Sequence, residues 1–514
     1  MKMGMEEELS VGIDLGTTYS CLAYIDGTGD PVIERNFEQE ETTPSVILFN
    51  ENHEIIVGSP AKDVAAMYPP NRTFMSVKRH IGTEFKAEVD GRIYTPVTLS
   101  AAILKKILND FSEVHGREIK KAVITCPAYF GQNERESTKN AGRIAGLEDV
   151  TIINEPTAAA ISFGYGLDES DKRVLVYDLG GGTFDVTILE ISENTFRAIA
   201  TDGERLLGGK DWDVALATLI LKKVSHDSGV PLEELEEDKE ATATLEVDTE
   251  SIKKRLTTAD STRGSMNVGN ERIIYSVSRD EFEETTAHLF ERTLDVMENV
   301  LKSIEMTMDE IDDIILVGGS CRMPHIIKGI MNLYPNANVR LFDPDRSVAK
   351  GAALFAKYKI MRETEKGETC PISVKNVLSK TFGVGVDYAG KEMISNMIYK
   401  NETLPLENVK IYYPVTDGQP SVLIEIYESS EPRSEEDTRI YKIEGKYIGA
   451  FDMDLPENVT KDTPITVKFK AAEDGTISAE VECMGEIKEY DLESSLSISE
   501  EELELSKGLI ERIG

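Results

Sequence analysis

The sequence predicts an α/β domain made of two similar lobes, followed by an antiparallel β-sandwich. Three observations predict this architecture: the chain length, a repeated strand-turn-strand motif, and a change of hydrophobic pattern near residue 380. The chain has 514 residues, which exceeds what a single hydrophobic core organises, so we expect two to four domains.

The repeated motif occurs in VGIDLGTTYSCLAYI, residues 11–25, and in VYDLGGGTFDVTILE, residues 176–190. Each copy has an apolar strand, an aspartate (Asp14 or Asp178), a glycine turn, a threonine and a second apolar strand, which predicts a β-hairpin. Glycines let backbone N–H groups approach an anion, and a neighbouring aspartate can hold Mg²⁺ through water. One such hairpin is usually only structural. Two copies indicate a duplicated domain whose lobes share a phosphate-facing cleft.

A third glycine turn lies in DDIILVGGSCRMPHIIKGI. A buried-type strand, 314–317, leads into Gly318, Gly319 and Ser320, and Pro324 then opens a helical pattern. Free N–H groups at a helix start attract phosphate, and the nearby Arg322 could stack on a flat base or pair with an anion. By itself, the segment is more often a plain strand-to-helix turn.

Three further segments carry candidate polar groups. VDTESIKKRLTTA predicts a helix with Glu250, Lys253 and Lys254 on one face, which by itself is a solvated ion-pair face. Lys78 lies among apolar and small residues, so it is a candidate phosphate-directed lysine. Glu155 precedes a proline at a strand-to-helix junction, where a carboxylate either orients a water or caps the helix.

Composition narrows the class of partner. The chain has 93 acidic and 56 basic residues and a formal net charge of −37, which argues against nucleic acid and membrane as partners. No apolar segment approaches the roughly 20 residues that span a bilayer, and the acidic start MKMGMEEELS is unlike a secretory signal, so we expect a cytoplasmic location. The five cysteines and six histidines show no disulfide or metal-ligand spacing.

Beyond Lys380 the pattern changes to short alternating strands. SVLIEIYES places Val422, Ile424 and Ile426 on one face, and ITVKFKAAEDGTISAEVEC alternates on both sides of a turn at 474–475. This pattern predicts an antiparallel β-sandwich and does not indicate a ligand.

Together, the segments resemble the heat-shock protein 70 (DnaK-like) chaperone family from Val11 to about Leu492, through IDLGTTYS, PAYF, IINEPTAAA, DLGGGTFDV, LGGKDWD and GGSCRMP. The resemblance implies an actin-like ATPase of two ribonuclease-H-like lobes over 1–366, an interdomain linker over 367–379, a peptide-binding β-sandwich over 380–495, and a remnant of a lid helix over 496–514. It implies an ATP-dependent chaperone that binds extended apolar segments of unfolded proteins, with ATP hydrolysis controlling binding and release.

The resemblance also implies the residues of the ATPase site. Lys78 would neutralise the γ-phosphate of ATP, Glu155 would orient the attacking water, and Asp14 and Asp178 would hold hydrated Mg²⁺. Thr17 and Thr183 would donate to phosphate oxygens, and Lys254 and Arg322 would sandwich the adenine. The full set of implied contacts with ATP or ADP is Gly16, Thr17, Thr18, Gly180, Gly181, Gly182, Thr183, Glu250, Lys253, Lys254, Thr257, Gly318, Gly319, Ser320, Arg322 and Asp345.

In the sandwich, the resemblance implies a side-chain pocket and two residues that flank the bound peptide. Val386, Tyr412, Val422 and Ile424 would line the pocket, while Ala389 and Val415 would flank the peptide. Pro127 and Arg135 would carry the nucleotide state to the sandwich.

Several segments depart from the family pattern. The linker PISVKNVLSKTFG is interrupted by lysine and asparagine, which predicts weaker docking onto the ATPase domain. Thr151 stands where the family commonly has a basic residue that helps recruit a J-domain co-chaperone, and the segment 230–248 is short and acidic. The sequence therefore leaves open both the J-domain partner and the nucleotide-exchange factor. The short lid remnant predicts faster escape of bound peptide.

Two alternative functions compete with a chaperone. A metabolite kinase on the actin-like fold would need a polar sugar site and no apolar sandwich pocket, so the predicted sandwich disfavours it. An ATP-gated scaffold that binds one dedicated partner is poorly separated from a chaperone by sequence alone.

Overall fold

Two α/β lobes and a β-sandwich make up the protein in a computed structural model, which describes residues 9–164, 171–192, 195–269, 271–364, 372–430, 439–473, 475–492 and 498–513. The predicted domain boundaries at 366–367 and 495–496 lie outside the described residues, as do Cys370 and Asp474. In the described part of the chain, no helix has the length and apolarity needed to cross a membrane.

The first lobe centres on a mixed sheet. Its strands are β1 (Val11–Asp14), β2 (Tyr19–Ile25), β3 (Pro31–Ile33), β4 (Thr43–Pro44), β5 (Ile47–Phe49), β6 (Ile55–Val57), β7 (Thr73–Phe74), β8 (Ala87–Val89), β9 (Arg92–Tyr94), β10 (Lys121–Cys126) and β11 (Asp149–Asn154). Its helices are α1 (Ser59–Val64), α2 (Pro96–His115), α3 (Gln132–Ala145) and α4 (Glu155–Gly164). The main sheet has the order β11-β10-β1-β2-β3, with β4 also on β2, while β6-β5-β7 forms a small sheet above it.

The second lobe repeats this plan. Its strands are β12 (Lys172–Leu179), β13 (Phe184–Ser192), β14 (Thr195–Glu204), β15 (Ser261–Val268), β16 (Glu271–Ser278), β17 (Asp313–Val317) and β18 (Asn338–Leu341). Its helices are α5 (Gly209–Ser228), α6 (Leu232–Glu237), α7 (Lys239–Thr258), α8 (Arg279–Ser303), α9 (Pro324–Leu333) and α10 (Ser347–Thr364). The sheet order is β18-β17-β12-β13-β14, and β15 pairs with β16.

Both predicted hairpins are present. β1 and β2 are antiparallel with Asp14 opposite Cys21, and β12 and β13 are antiparallel with Asp178 opposite Asp185. In each lobe the first strand also pairs in parallel with the strand on its other side, β10 or β17. Each lobe therefore places an aspartate and a glycine turn at the same end of its sheet.

Close helix packing joins the lobes. A Cβ on Gly12 would lie 2.2 Å from the backbone nitrogen of Ala353 in α10, and one on Gly351 would lie 1.7 Å from the carbonyl oxygen of Ala158 in α4. Glycine is required at both positions because backbone occupies the space of a side chain. The contacts let α10 pack directly on β1 and α4, which brings the two sheet ends together.

The remaining strands form the linker and the sandwich. They are β19 (Ser373–Lys375), β20 (Thr381–Tyr388), β21 (Lys391–Ile398), β22 (Leu406–Tyr412), β23 (Ser421–Ser429), β24 (Arg439–Tyr441), β25 (Lys446–Asp454), β26 (Ile465–Ala471), β27 (Ile477–Cys483) and β28 (Glu486–Asp491). The two antiparallel sheets have the orders β24-β21-β20-β23-β25 and β22-β26-β27-β28. Alternate residues such as Ile465, Val467 and Phe469 fill the core between them. This architecture confirms the predicted fold class.

The linker is docked on the second lobe, although lysine and asparagine interrupt its apolar pattern. β19 pairs in parallel with β14, Val374 opposite Phe196, and extends the sheet by one strand. Backbone pairing does not depend on side-chain identity, so a strand forms where the apolar run is broken.

The last helix, α11 (Glu500–Leu509), packs on the first lobe. Ile510 follows it and is fully buried in the core of that lobe. The backbone N–H of Ile55 donates to the carbonyl oxygen of Arg512 at 3.1 Å. The segment therefore returns from the sandwich to the first lobe.

Candidate active site

A cleft of about 650 Å³ lies between the lobes, where the two sheet ends meet. Among the residues that line it are all the predicted catalytic and nucleotide-contact residues except Gly182: Asp14, Gly16, Thr17, Thr18, Lys78, Glu155, Asp178, Gly180, Gly181, Thr183, Glu250, Lys253, Lys254, Thr257, Gly318, Gly319, Ser320, Arg322 and Asp345. The predicted set comes from many separate segments, and the fold gathers it in one place.

The tips of the two repeated hairpins touch each other at the cleft wall. A Cβ on Gly181 would lie 1.9 Å from Oγ1 of Thr18, and one on Gly182 would lie 2.2 Å from Cγ2 of Thr17. Only glycine allows this approach at either position. In the described part of the chain, the backbone N–H groups of Thr17, Thr18 and Gly181 reach no acceptor. Free N–H groups at two apposed turns suit an oxyanion.

Three carboxylates and one lysine form the floor of the cleft. Lys78 makes an ion pair with Glu155, and both are buried, while Oγ1 of Thr125 donates to Oδ1 of Asp14 at 3.1 Å. Burial and the nearby Glu155 raise the pKa of Asp14 to about 7. Burial, Glu155 and Asp14 raise the pKa of Asp178 well above its usual range.

Charge in the floor is unbalanced. Burial alone would lower the pKa of Lys78, but Glu155 and Asp14 outweigh it and raise the pKa, so the lysine stays charged. One buried cation faces two buried acids, Glu155 and Asp178, and the half-buried Asp14; the carboxyl pKa values are raised first by burial and then by the neighbouring negative charge. A divalent cation beside Asp14 and Asp178 would remove the excess, so the residues present fit Mg²⁺.

The outer part of the cleft holds longer polar side chains. Arg322 pairs with Asp345, and about half of the Arg322 side chain is exposed. Lys254 pairs with Glu250 at 2.8 Å, as the helical spacing predicts. Lys253 instead turns toward the start of α5, where it donates to the carbonyl oxygen of Gly209 at 2.7 Å.

Sequence reasoning missed a cluster that crosses the mouth of the cleft. Tyr19 and Lys62 belong to the first lobe, and Glu250 and Lys254 to the second. The hydroxyl of Tyr19 donates to Oε1 of Glu250 at 3.0 Å, while Lys62 and Lys254 donate to the same hydroxyl at 2.7 and 3.0 Å. Tyr19 follows the glycine turn of the first motif and could have been suspected, whereas Lys62 carries no local signal.

The predicted signalling residues lie behind Glu155. Arg135 donates to the carbonyl oxygen of Phe130 at 3.0 Å and to Oδ1 of Asn154 at 2.6 Å. Pro127 begins the loop that Arg135 holds, and its carbonyl oxygen accepts from the N–H of Phe130 at 3.2 Å. Because Asn154 precedes Glu155, the loop is fixed to the strand end that carries the carboxylate.

The same loop and the first turn of α3 contact the linker and the sandwich. Oγ of Ser379 donates to the carbonyl oxygen of Phe130 at 3.0 Å, and Gln132 donates to the carbonyl oxygen of Gly475. Lys446 of the sandwich pairs with Glu134 at 3.0 Å. A continuous set of contacts therefore runs from Glu155 to the sandwich.

The six predicted peptide-binding residues divide into two groups. Val386, Tyr412 and Val422 pack partly buried against the sandwich core, and Ile424 lies within it. The hydroxyl of Tyr412 bonds to the Ser395 hydroxyl at 2.9 Å. By contrast, Ala389 has a positive φ of 54° on an exposed turn, and Val415 is 70% exposed. The first four therefore belong to the sandwich core or pack against it, and the other two lie on the surface.

Fold and site together define an ATPase-type domain with an interlobe cleft, joined by a docked linker to an antiparallel sandwich. The Hsp70 family model matches residues 10–92 and 85–513. Chaperone protein DnaK from Thermotoga petrophila, Thermotoga sp. strain RQ2 and Thermotoga maritima is in each case 37% identical over 498 residues, which cover 95% of this chain and 81% of the relative.

The chain therefore belongs to the Hsp70 family. Members of this family are ATPases, and the chain is an ATP-dependent molecular chaperone. Neither the metabolite kinase nor the dedicated scaffold finds support in these matches.

Proposed function

We propose that this chaperone hydrolyses ATP in the interlobe cleft and thereby controls how the sandwich holds an extended apolar segment of an unfolded protein. The observation that carries the proposal is the contact of the two glycine turns, at Thr18 and Gly181, above the carboxylate floor. This arrangement supports in-line attack of water on a phosphate held between the lobes, where positioning and charge neutralisation supply most of the catalysis.

Each floor residue has one proposed task. Asp14 and Asp178 would hold Mg²⁺ through water, and the ion would neutralise phosphate charge. Lys78 stays charged through its acidic neighbours, which suits contact with the terminal phosphate. Glu155 lies at the start of α4, anchored by Lys78, which supports a role in orienting the attacking water.

The position of each residue in the cleft suggests which part of the nucleotide it would contact. Thr17 and Thr183, at the turns, would donate to phosphate oxygens. Lys254 and Arg322, at the outer end, would lie on opposite faces of the adenine. Both side chains are about half exposed, which leaves their planar or aliphatic surfaces available to a flat base.

For this mechanism we keep the domain boundaries that the sequence predicts: the ATPase domain at 1–366, the linker at 367–379, the sandwich at 380–495 and the lid remnant at 496–514. Pro127 and Arg135 would couple the first domain to the third, because the loop they hold contacts Ser379. Val386, Tyr412, Val422 and Ile424 would receive a client side chain, with Ala389 and Val415 beside the client backbone.

Partners and location stay predictions. Nζ of Lys359 lies 2.5 Å from Oγ1 of Thr151, so a basic side chain reaches the position where the family commonly has one of its own. This supports a J-domain co-chaperone as a partner, and a nucleotide-exchange factor would act on the second lobe. A cytoplasmic location remains a prediction from the sequence, and the resemblance to the heat-shock protein 70 family favours a role in stress response.

The test is the release rate of a fluorescent, leucine-rich extended peptide with ATP and with ADP. We expect ATP to speed release, Glu155→Ala to block hydrolysis without abolishing ATP binding, and Val422→Phe to abolish peptide binding. Val409→Phe is the matched control, because Val409 is 47% exposed and lies outside the sandwich core.

Two outcomes would contradict the proposal. Peptide release that is the same with ATP and ADP would contradict coupling between the domains. Failure of an excess of an unrelated apolar peptide to compete would favour a dedicated binder, since a general chaperone tolerates many sequences.

A further inference from the structure

The three carbonyl groups of the second-lobe glycine turn each accept a hydrogen bond from another segment of the chain. The carbonyl oxygen of Gly180 accepts from the N–H of Gly209 at 2.9 Å and from Oγ of Ser320 at 2.9 Å. That of Gly181 accepts from the N–H of Lys210 at 2.7 Å. These donors all belong to the second lobe, so the first two peptide groups are fixed within their own lobe.

The third carbonyl is held from the other lobe. Nε of Arg79 donates to the carbonyl oxygen of Gly182 at 2.8 Å. Arg79 lies on the short 3₁₀ turn Val77–His80 of the first lobe, directly after Lys78. Only 12% of its side chain is exposed.

Asp211 fixes the direction of the Arg79 side chain. Its Oδ2 lies 2.5 Å from the terminal nitrogen of the guanidinium, and it also accepts from the N–H of Gly208 at 2.8 Å, which caps the start of α5. One planar guanidinium therefore joins the glycine turn to the start of the next helix. A lysine could satisfy one of these acceptors but not both in this geometry.

The orientation of the Gly182–Thr183 peptide depends on that contact. The C=O and N–H of a planar peptide group point in opposite directions. Because the Gly182 oxygen points toward Arg79, the N–H of Thr183 points away from Arg79. Thr183 lines the cleft, and so does Lys78, the residue before Arg79. Any movement of the 3₁₀ turn would shift Lys78 and the Thr183 peptide together.

We propose that Arg79 is a positioning residue for ATP hydrolysis, which locks the second-lobe phosphate turn to the lysine-bearing turn of the first lobe. The proposal rests on the proposed function of this cleft. Arg79 does not line the cleft and has no predicted contact with ATP, so its effect would pass through the geometry of Thr183 and Lys78.

The experiment measures single-turnover hydrolysis and ATP affinity separately in the full chain. Arg79→Ala should lower the hydrolysis rate of bound ATP by about tenfold to 100-fold, because a misplacement near 1 Å has effects of this size. The dissociation constant for ATP should change by less than about threefold, since most contacts persist. Arg79→Lys should give an intermediate rate, and millimolar guanidinium ion should partly restore Arg79→Ala.

Non-additivity supplies a second readout. Asp211→Asn keeps an acceptor for Gly208 but removes the charge that directs Arg79, so the double variant should be no slower than Arg79→Ala alone. Arg272→Ala is the matched control, because Arg272 is an exposed arginine on β16 that bonds Ser265 and lies outside the cleft.

Three results would overturn the proposal: a hydrolysis rate for Arg79→Ala within twofold of the parent, equal losses in rate and affinity, or additive effects of the two substitutions. Lys78→Ala and Glu155→Ala run in parallel. If these variants also hydrolyse ATP normally, the proposed function of the cleft fails; if they are inactive while Arg79→Ala is normal, only the positioning role fails.

Discussion

Lys62 of the first lobe and Glu250 of the second form an ion pair across the mouth of the cleft, with Nζ 2.5 Å from Oε2. The ring of Tyr19 lies between Lys62 and Lys254, whose ammonium groups are 4.8 and 4.7 Å from its centroid. Burial alone would raise the pKa of Glu250, but Lys62 and Lys254 lower it to about 2. The carboxylate is therefore charged at neutral pH, and the cluster resists separation of the lobes.

Lys62→Met should speed the release of ADP, because it removes the charge and keeps most of the aliphatic stem. A partly exposed ion pair contributes about 1 kcal/mol, which corresponds to a threefold to tenfold faster release. Stopped-flow displacement of a fluorescent ADP measures the rate. Added salt should speed release from the parent and leave Lys62→Met nearly unchanged.

Lys302→Met is the control for Lys62→Met. Lys302 pairs with Glu298 at 2.9 Å on the surface of α8, away from the cleft. Equal release rates for the parent and Lys62→Met, at low salt, would show that the cluster does not limit opening of the lobes.

The contact of the two glycine turns yields a second prediction. Gly181→Ala would place a Cβ 1.9 Å from Oγ1 of Thr18, so the lobes could not close to the observed distance. Overpacking of this kind costs about 1–3 kcal/mol, which predicts ATP binding weaker by about tenfold. Isothermal titration measures the affinity.

A second substitution separates a steric effect from a general one. Thr18→Gly removes the clashing side chain and should restore part of the affinity lost in Gly181→Ala. Gly27→Ala should bind ATP normally, because a Cβ there meets nothing within 4 Å. Absence of rescue by Thr18→Gly would mean that the clash with Thr18 is not the cause of the lost affinity.

Two carboxylates meet where the sandwich docks on the ATPase domain. Nζ of Lys446 lies 3.0 Å from Oε1 of Glu134 and 3.4 Å from Oε1 of Glu428, and both acids are buried. Burial and Glu134 raise the pKa of Glu428, and the nearby Lys446 and Lys380 only partly oppose them. The docked state therefore holds a proton on Glu428 more tightly than a separated sandwich would.

Docking should accordingly strengthen as the pH falls. A raised pKa in the docked state means that the stabilising proton is lost as pH rises from the ordinary value of 4.5 through the docked value. Protection of the Thr201 amide, which donates to Oδ1 of Asn401 at 3.0 Å, reports docking by hydrogen exchange after correction for intrinsic rates. Protection should be greater at pH 5.5 than at pH 8.

In Glu428→Gln, the Thr201 backbone amide should be equally protected at pH 5.5 and pH 8, because the glutamine side chain is neutral at every pH. If the parent shows no pH effect, protonation of Glu428 does not control docking. If the effect persists in Glu428→Gln, other titratable groups cause the pH dependence of docking.

Local pattern predicted the elements of the site but not their cross-lobe partners. The hairpins at Asp14 and Asp178 follow from alternating strands and glycine turns, which a short stretch of sequence specifies. Lys62 and Glu250 lie 188 positions apart on surface helices, and nothing local distinguishes their pairing from a solvated charge. Arg79 was equally hidden, since its role depends on a backbone carbonyl 103 positions away.

The placement of the final segment was also beyond local pattern. Its helix was predicted as a lid remnant after the sandwich, and amphipathic spacing indicates that one face is buried but not against which surface. The structure resolves this, because Ile510 enters the core of the first lobe and Nζ of Lys105 donates to its carbonyl oxygen at 3.3 Å.

This attachment gives the last prediction. Ile510→Ala removes a fully buried side chain, a change that typically costs about 2–5 kcal/mol, so the segment 498–513 should detach from the first lobe before the lobe itself unfolds. The Ile55 amide, which donates to Arg512, should then exchange at least tenfold faster in the folded protein. Leu505→Ala on the preceding helix, α11, should leave exchange unchanged, because Leu505 is 70% exposed. Unchanged protection of Ile55 in Ile510→Ala would mean that the β6 contact, rather than the buried isoleucine, holds the segment in place.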